Sequence, residues 1–377
     1  VEIGIYVHIP FCISKCRYCD FNSQVAAEPL REQYHAALTE QLQRRLVASA
    51  PARLSTVFFG GGTPTIYAPP DLAHLLAVIA AHADLAASAE ISCEANPDTV
   101  DAGKLAALRH AGFNRISLGI QSLDDEQLRL LGRSHDAATA LAAARAARDR
   151  FENLSLDIIY GIPGQTARSW TATLDGIIAL RPDHISAYGL MIEHDTPLHE
   201  MVACGQVQPL PDATYAEFYE QAQRMLAAAG YLQYEISNFA LPGRECRHNL
   251  IYWRNEAYLG CGAGAAGYLD GVRSINIADP GKYCGAVAAG LPVIASEEQL
   301  DGAQRAGETI MLALRTAAGA DLKRISEQCG IDLRAEHAAI IAAMVAVGIA
   351  TYSEGILRLT PEKGFLLHSE VARRFLV

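Results

Sequence analysis

Over its first two-thirds the chain alternates short β-branched or aromatic runs with helical stretches, and this alternation restricts the fold more than any other feature. The runs span 3–9, 55–59, 90–94, 115–119, 154–159 and 184–190, and Gly, Pro or Asn follows each of them closely. Between and after them the pattern predicts helices over 30–49, 71–82, 100–111, 124–150 (one long helix), 169–180 and 215–229. Gly112 stands where a helix C-cap is expected, just before Phe113 leads into the next strand. Six strand–helix units in series point to an α/β fold with a parallel sheet and helices packed outside it. Eight units would close a full barrel, so six leave either an open barrel or a doubly wound sheet.

The pattern changes after residue 230. A Gly- and aromatic-rich connecting region is expected over 231–299, after a first domain over 1–230. The last part, 300–377, predicts helices over 306–314, 321–329 and 334–347, then a hairpin of 349–353 and 356–360 about Glu354-Gly355. That order suggests a winged-helix-like α+β domain. It carries nine Lys/Arg against nine Asp/Glu with no basic stripe, so nucleic acid is not an expected partner. The whole chain of 377 residues has a net charge of −11, which also disfavours general phosphate-backbone binding. No run of eighteen apolar residues and no signal-peptide pattern appears, so a cytoplasmic location is expected, with membrane contact transient at most.

Nine cysteines are present, and three of them crowd one stretch, Cys12-x-x-x-Cys16-x-x-Cys19, directly after the first predicted strand. The other six are scattered and read as reduced, small apolar residues. In parallel α/β folds the loops after the strands carry the chemistry. Three thiolates on one tight loop suit three irons of a cubane cluster, leaving a fourth iron open. The alternative is a zinc site completed by His8; a structural zinc wants four protein ligands, and the odd count favours iron–sulfur. Tyr6 and His8 lie two apart on the first strand and share one face, either turned toward the loop or filling a core.

Taken together, Tyr6-Val-His8-Ile-Pro-Phe-Cys12-x-x-x-Cys16-x-x-Cys19, Phe58-Phe-Gly60-Gly-Gly-Thr63-Pro64, Cys93-Glu94-Ala-Asn96-Pro97, Asn114-Arg-Ile-Ser-Leu-Gly-Ile-Gln121, Leu131-Gly-Arg133 and Leu156-Asp157 resemble the radical S-adenosylmethionine (SAM) enzymes. The branch is that of oxygen-independent coproporphyrinogen III dehydrogenase, and the resemblance runs along essentially the whole chain. It implies a partial (β/α)6 barrel in which Cys12, Cys16 and Cys19 hold a [4Fe-4S] cluster and SAM chelates the open iron. Electron transfer into the sulfonium would release methionine and a 5′-deoxyadenosyl radical. For SAM the resemblance singles out Tyr6, Gly61, Gly62, Thr63, Glu94, Gln121, Arg133 and Asp157. The residue types agree. Glycines after a strand let backbone approach a ligand, strand-end polar groups grip an amine and ribose hydroxyls, and an arginine fork suits a carboxylate. Singly, each of these polar groups also reads as a cap or a solvated charge.

Two features separate the chain from the dehydrogenase. That enzyme has a further cysteine two residues after the third, where this chain has Phe21, and it has a sizeable segment before its tyrosine, whereas Tyr6 stands near the start here. The sister group is similar instead: HemW-type heme chaperones are marked by His-Asn-x-x-Tyr-Trp, and His248-Asn249-Leu-Ile-Tyr252-Trp253 follows Tyr234-Glu235-Ile-Ser-Asn238-Phe here. That resemblance implies heme as ligand, His248 as its axial ligand, and apo-hemoproteins (respiratory or heme-storage) as acceptors. A reductant for the cluster and a second copy of the chain are the other partners expected. A neutral imidazole ligates heme iron well and aromatics pack on the porphyrin face. On local sequence alone, a hydrogen-bonded core pair of His248 and Asn249 with Trp253 as core filler is the stronger reading, and the resemblance reverses the order; Cys246 stays open as a second candidate ligand. The dehydrogenase, or another radical SAM enzyme with the same domain order, remains the alternative.

Overall fold

The computed structural model describes residues 2–49 and 53–376. Strands β1 (Glu2–Ile9), β2 (Arg53–Gly61), β3 (Asp84–Ala95), β4 (Arg115–Gln121), β5 (Leu154–Tyr160) and β6 (His184–Gly189) pair in that order, all parallel. Between them run α1 (Glu28–Ala48), α2 (Pro69–His82), α3 (Ala102–His110), α4 (Asp125–Leu131), α5 (Ala137–Arg148) and α6 (Ala167–Ala179). Strand side chains alternate, so Ile3, Ile5, Val7 and Ile9 enter one buried apolar cluster with Leu38, Leu42 and Leu46 of α1, while Tyr6 and His8 turn inward. One cavity is bounded by the C-terminal ends of β2 to β6 and by the loop that follows β1, so the sheet curls into an open barrel. Of the two arrangements left open by the pattern, the barrel is the one formed.

The single helix expected over 124–150 is two helices. Gly132, in the left-handed region at φ 74°, ends α4, and the Asp136 side chain caps α5 by accepting from the Thr139 amide. This break delivers Arg133 to the cysteine loop, where its guanidinium meets Cys16. Strand β3 also starts six residues earlier than its apolar run suggests, at Asp84.

Beyond β6 come α7 (Pro197–Ala203) and α8 (Asp212–Ala228), and then the stretch read as connecting sequence supplies more sheet. Strands β7 (Leu232–Gln233) and β8 (Asn238–Ala240) extend the β6 edge antiparallel. After α9 (Arg247–Trp253), strand β9 (Tyr258–Cys261) pairs parallel to β1. Strands β10 (Ala266–Leu269), β11 (Val272–Asn276) and, past α10 (Pro280–Ala288), β12 (Ile294–Gln299) continue from it, giving twelve strands in one sheet. These strands are only two to six residues long, which hides them from a periodicity reading.

The C-terminal part holds α11 (Gly302–Ala313), β13 (Ala320–Asp321), α12 (Leu322–Cys329), α13 (Leu333–Glu336), α14 (Ala338–Ala346), β14 (Ala350–Ser353), β15 (Ile356–Leu359) and α15 (His368–Ala372). Its small sheet has the order β13-β15-β14, and positive φ at Glu354 (55°) and Gly355 (83°) makes the tight hairpin turn. The helix expected over 334–347 is interrupted at His337. Among the described residues no helix is long and apolar enough to cross a membrane.

Candidate functional site

The cysteine loop follows β1 and is tied down along its length. The Cys12 amide donates to Gln24 O (3.0 Å), Gln24 returns a bond to Pro10 O (2.8 Å), and the Arg17 amide donates to Leu131 O (2.9 Å). Lys15 Nζ reaches across the loop to Ser23 O at 3.0 Å. All three cysteines are half-buried free thiols. Each sulfur meets a polar neighbour from a different position: Thr63 Oγ1 donates to Cys12 Sγ (3.6 Å), Arg133 Nη1 to Cys16 Sγ (3.3 Å), and Ser23 Oγ lies 4.0 Å from Cys19 Sγ. Burial pushes the Cys12 and Cys19 thiols up, against the hydrogen bonds that pull them down. Donors placed on sulfur stabilise thiolate and set the potential of what it binds.

His8 does not complete this site. Its Nε2 lies 2.9 Å from Asn22 O and its Nδ1 2.9 Å from the Tyr6 hydroxyl. A carbonyl only accepts, so Nε2 carries the hydrogen and Nδ1 accepts from Tyr6; burial lowers the ring's proton affinity and keeps it neutral. Both nitrogens are spent on joining β1 to the cysteine loop, which rules out the zinc alternative with His8 as fourth ligand. Among the described residues no three His, Cys, Asp or Glu side chains converge as one metal ion requires. Three thiolates on three separate irons need no such convergence.

Opposite the loop, the end of β2 brings backbone close. Gly61 has φ 115° and its amide donates to Glu94 Oε2 at 3.1 Å. A Cβ on Gly62 would lie 2.6 Å from Phe11 O and 2.9 Å from Cys12 Sγ, so only glycine fits under the loop. Asn96 ties the pieces together: its Nδ2 donates to Thr63 Oγ1 (3.0 Å) and its Oδ1 accepts from Arg133 Nη2 (2.8 Å). Sequence reading had Asn96 only as part of a motif. Its visible signal was the Asn-Pro-x-Thr order that forms a capping box at β3's end.

The cysteines, Gly61, Gly62, Thr63, Glu94, Gln121, Arg133 and Asp157 all line one cavity of about 360 Å³. Gln121 reaches it through positive φ (68°) and a register shift at the end of β4. Asp157 accepts from Ser117 Oγ at 3.1 and 3.2 Å and from Ser155 Oγ at 3.3 Å. Tyr6 lines an adjoining deeper chamber. The donor set suits the two groups that a radical SAM site holds. Three thiols face the cavity, two carboxyl groups stand across it, and Arg133 Nε is buried with no partner among the described residues, which leaves room for a carboxylate.

Desolvation, and then the nearby Asp157 charge, push the Glu94 carboxyl up to about 8. The folded chain therefore holds a proton there that the unfolded chain releases above its ordinary value of 4.5, and this contribution to stability fades as pH rises toward 8. Glu94→Gln should flatten that decline, so the variant's urea midpoint drops less than the wild type's between pH 5 and pH 8.5. Parallel declines would contradict the assignment.

His248 lies apart from this cavity. It is fully buried at the start of α9; Nδ1 lies 2.7 Å from Thr56 Oγ1 and Nε2 2.7 Å from the Tyr252 hydroxyl. Its ring stacks on Phe58 at 5.1 Å, and burial, then the nearby Arg115 charge, depress its proton affinity to about 3. As folded, both ring nitrogens are engaged, so ligation by His248 requires one of these bonds to open. Cys246 is buried too, with its Sγ 3.6 Å from Glu90 Oε1, and Glu90 also accepts from the Arg247 and His248 amides at 3.1 Å each. Trp253 packs under the Arg315 guanidinium (4.4 Å), which pairs with fully buried Glu235 at 3.2 Å. The two motifs thus clamp α9 between barrel and C-terminal part.

The relationships of the chain agree with this architecture. Residues 6–177 match the model of the radical SAM superfamily and residues 300–367 that of the HemN C-terminal domain. The heme chaperone HemW of Bacillus subtilis (strain 168) is 36% identical over 382 residues, covering 98% of each chain. HemW of Mycobacterium tuberculosis (strain ATCC 25618 / H37Rv) is 36% identical over 99% of this chain and 94% of its own. Among solved structures, the coproporphyrinogen III oxidase HemN of Escherichia coli, described as a radical SAM enzyme, superposes with a TM-score of 0.85 at 25% identity, covering 99% of this chain and 90% of that one. By its fold, its cysteine loop and full-length similarity above 30%, the chain belongs to the HemW family of the radical SAM superfamily.

Proposed function

We propose that the chain is a heme chaperone: it binds heme and passes it to apo-hemoproteins. The observation that carries this reading is the end-to-end similarity to relatives named heme chaperones, with Phe21 standing in the cavity wall where the dehydrogenase pattern has a cysteine. Cys12, Cys16 and Cys19 would hold the [4Fe-4S] cluster; Arg133 and Glu94 would bind the carboxylate and amine of SAM, and Asp157 and Gln121 its ribose. When bound, this pair of groups supplies one-electron chemistry at the sulfonium. The protein's own part is to present three thiols, keep Asp157 hydrogen-bonded, and enclose the cavity.

His248 is the proposed iron ligand, and the geometry sets its condition: Tyr252 must release Nε2 first. Tyr252→Phe removes that partner, so heme affinity should rise several-fold in this variant; unchanged affinity would move the ligand elsewhere. A reductant for the cluster and a second copy of the chain complete the expected partners, and the reading places the chain in the cytoplasm.

The function is tested by mixing heme-loaded protein with an apo-hemoprotein and following the acceptor's absorption. Transfer should proceed, while coproporphyrinogen III, offered with SAM and a reductant, should persist. Consumption of the porphyrinogen with release of methionine would instead identify a dehydrogenase.

A further inference from the structure

A single file of hydrogen bonds joins the cysteine-lined cavity to the first turn of α9. Asp157 lines the cavity. Ser155 Oγ lies 3.3 Å from Asp157 Oδ1 and 2.8 Å from Nδ1 of His184 on β6. The other ring nitrogen, Nε2, lies 2.8 Å from the Tyr234 hydroxyl, and that oxygen accepts from the amide of Cys246, the N-cap of α9, at 3.3 Å. Ser155 and His184 are buried, and neither they nor Tyr234 lines the cavity. Burial, and then the Arg115 charge, hold the His184 ring neutral.

Donors and acceptors give this file one direction. An amide only donates, so the Tyr234 oxygen accepts from Cys246 and its single hydrogen goes to His184 Nε2. The neutral ring then carries its hydrogen on Nδ1 and gives it to Ser155, whose own hydrogen is free for Asp157. Every group is satisfied. The reverse order puts the hydrogen on Nε2, takes Ser155 from Asp157, and strands the Tyr234 hydrogen, which has no other acceptor among the described residues. Asp157 decides between the two. A carboxylate offers about four acceptor sites, and Ser117, Ser155 and Ser186 already claim three. Two ribose hydroxyls would overfill it. Ser155 holds it less closely (3.3 Å) than Ser117 does (3.1 Å) and has a second acceptor ready in His184 Nδ1.

We propose that His184 is a positioning residue that switches α9 according to what Asp157 holds. This coupling rests on the reading above, with ribose on Asp157 and the heme ligand on α9. When SAM fills the cavity, Ser155 turns to Nδ1; the ring loses that proton to solvent and takes one at Nε2, so its charge is unchanged. Nε2–H then uses the Tyr234 oxygen as acceptor, the hydroxyl hydrogen is left without one, and the Cys246 amide loses its partner. The first turn of α9, two residues before His248, therefore loosens as the SAM site fills.

The test uses the full chain with its cluster reconstituted and its histidines labelled with nitrogen-15, in the absence of heme, so that it is decided apart from heme binding. Without SAM, the His184 ring, identified by its absence from the spectrum of His184→Asn, should carry its hydrogen on Nδ1 and leave Nε2 bare. Saturating SAM should move the hydrogen to Nε2 and speed deuterium exchange at the Cys246 amide by about fivefold or more, the low end of ordinary coupling between sites. Ser155→Ala cuts the file outside the cavity, so at saturating SAM neither the ring nor the amide should respond. If His184→Asn does not fold, the ring whose signals shift in Ser155→Ala identifies His184. An Nε2–H ring without SAM, a hydrogen that stays on Nδ1 with SAM bound, or an amide response kept in Ser155→Ala would each overturn the proposal. Loss of SAM binding in Ser155→Ala would place that serine in the site itself and overturn the relay, and a wild type that binds no SAM would overturn both the relay and the site it rests on.

Discussion

Gly62→Val should leave the folded protein unable to hold an iron–sulfur cluster. Any Cβ at this position falls 2.6 Å from Phe11 O and 2.9 Å from Cys12 Sγ, and Phe11 O also accepts the Thr63 amide at 2.8 Å. A branched side chain has no flexible neighbour to displace, only backbone and the cysteine itself, so the loop must lift. Cys12 then leaves Thr63 and the other two sulfurs. The damage is local, because the core beneath β2 (Val57, Phe59) is untouched. Reconstituted wild type should carry close to four irons and four sulfides per chain by the cubane assignment, and the variant only a small residue of either, with far-ultraviolet circular dichroism unchanged. A variant with full iron and sulfide would show that the loop tolerates the shift and that the close approach has no role in assembly.

His248→Ala should cost about 3 kcal/mol or more of stability before heme is considered. The change strips Thr56 and Tyr252 of their partners and opens space between Phe58 and Tyr252, whose rings lie 5.1 and 5.0 Å from the imidazole. A buried hydroxyl left alone costs about 1–3 kcal/mol, and a ring-sized void adds to that. The expected reading is a clear fall in the urea midpoint of the heme-free protein. An unchanged midpoint would mean that the helix does not depend on this histidine, contrary to the geometry. Heme affinity in the same variant must then be measured where the protein is still folded, since lost binding from unfolding looks the same as a lost ligand.

The candidate SAM residues came from the resemblance, and their places at strand ends agree with it. There, a break in the apolar pattern (Glu94, Gln121) is visible against buried neighbours, and the cysteine spacing announces itself. The parallel sheet followed from the serial alternation, and the choice of barrel over doubly wound sheet came from the resemblance. The interruption at Gly132 was visible as a residue but not as a break, since the Leu-rich turn before it and the Ala-rich stretch after it both propagate helix on paper. What stayed hidden is long-range. Thr56 bonds His248 across 192 positions, and nothing near either residue says so. The Tyr252 partner was nearer to hand, because residues four apart on a helix share a face. Arg115 was read as part of a strand, and only the folded sheet shows that it is buried beside Glu90 and Asp157. Strands β7 to β12 escaped because runs of two to six residues carry too little pattern to separate from loop.

The most direct test of the account is an anaerobic titration of heme into cluster-loaded protein, followed by the Soret band. The account requires saturable binding near one heme per chain, weakened in a His248→Ala sample shown to be folded. Binding that never saturates, or that remains as weak as to a generic apolar surface, would contradict the chaperone reading and leave the porphyrinogen dehydrogenase as the function to test.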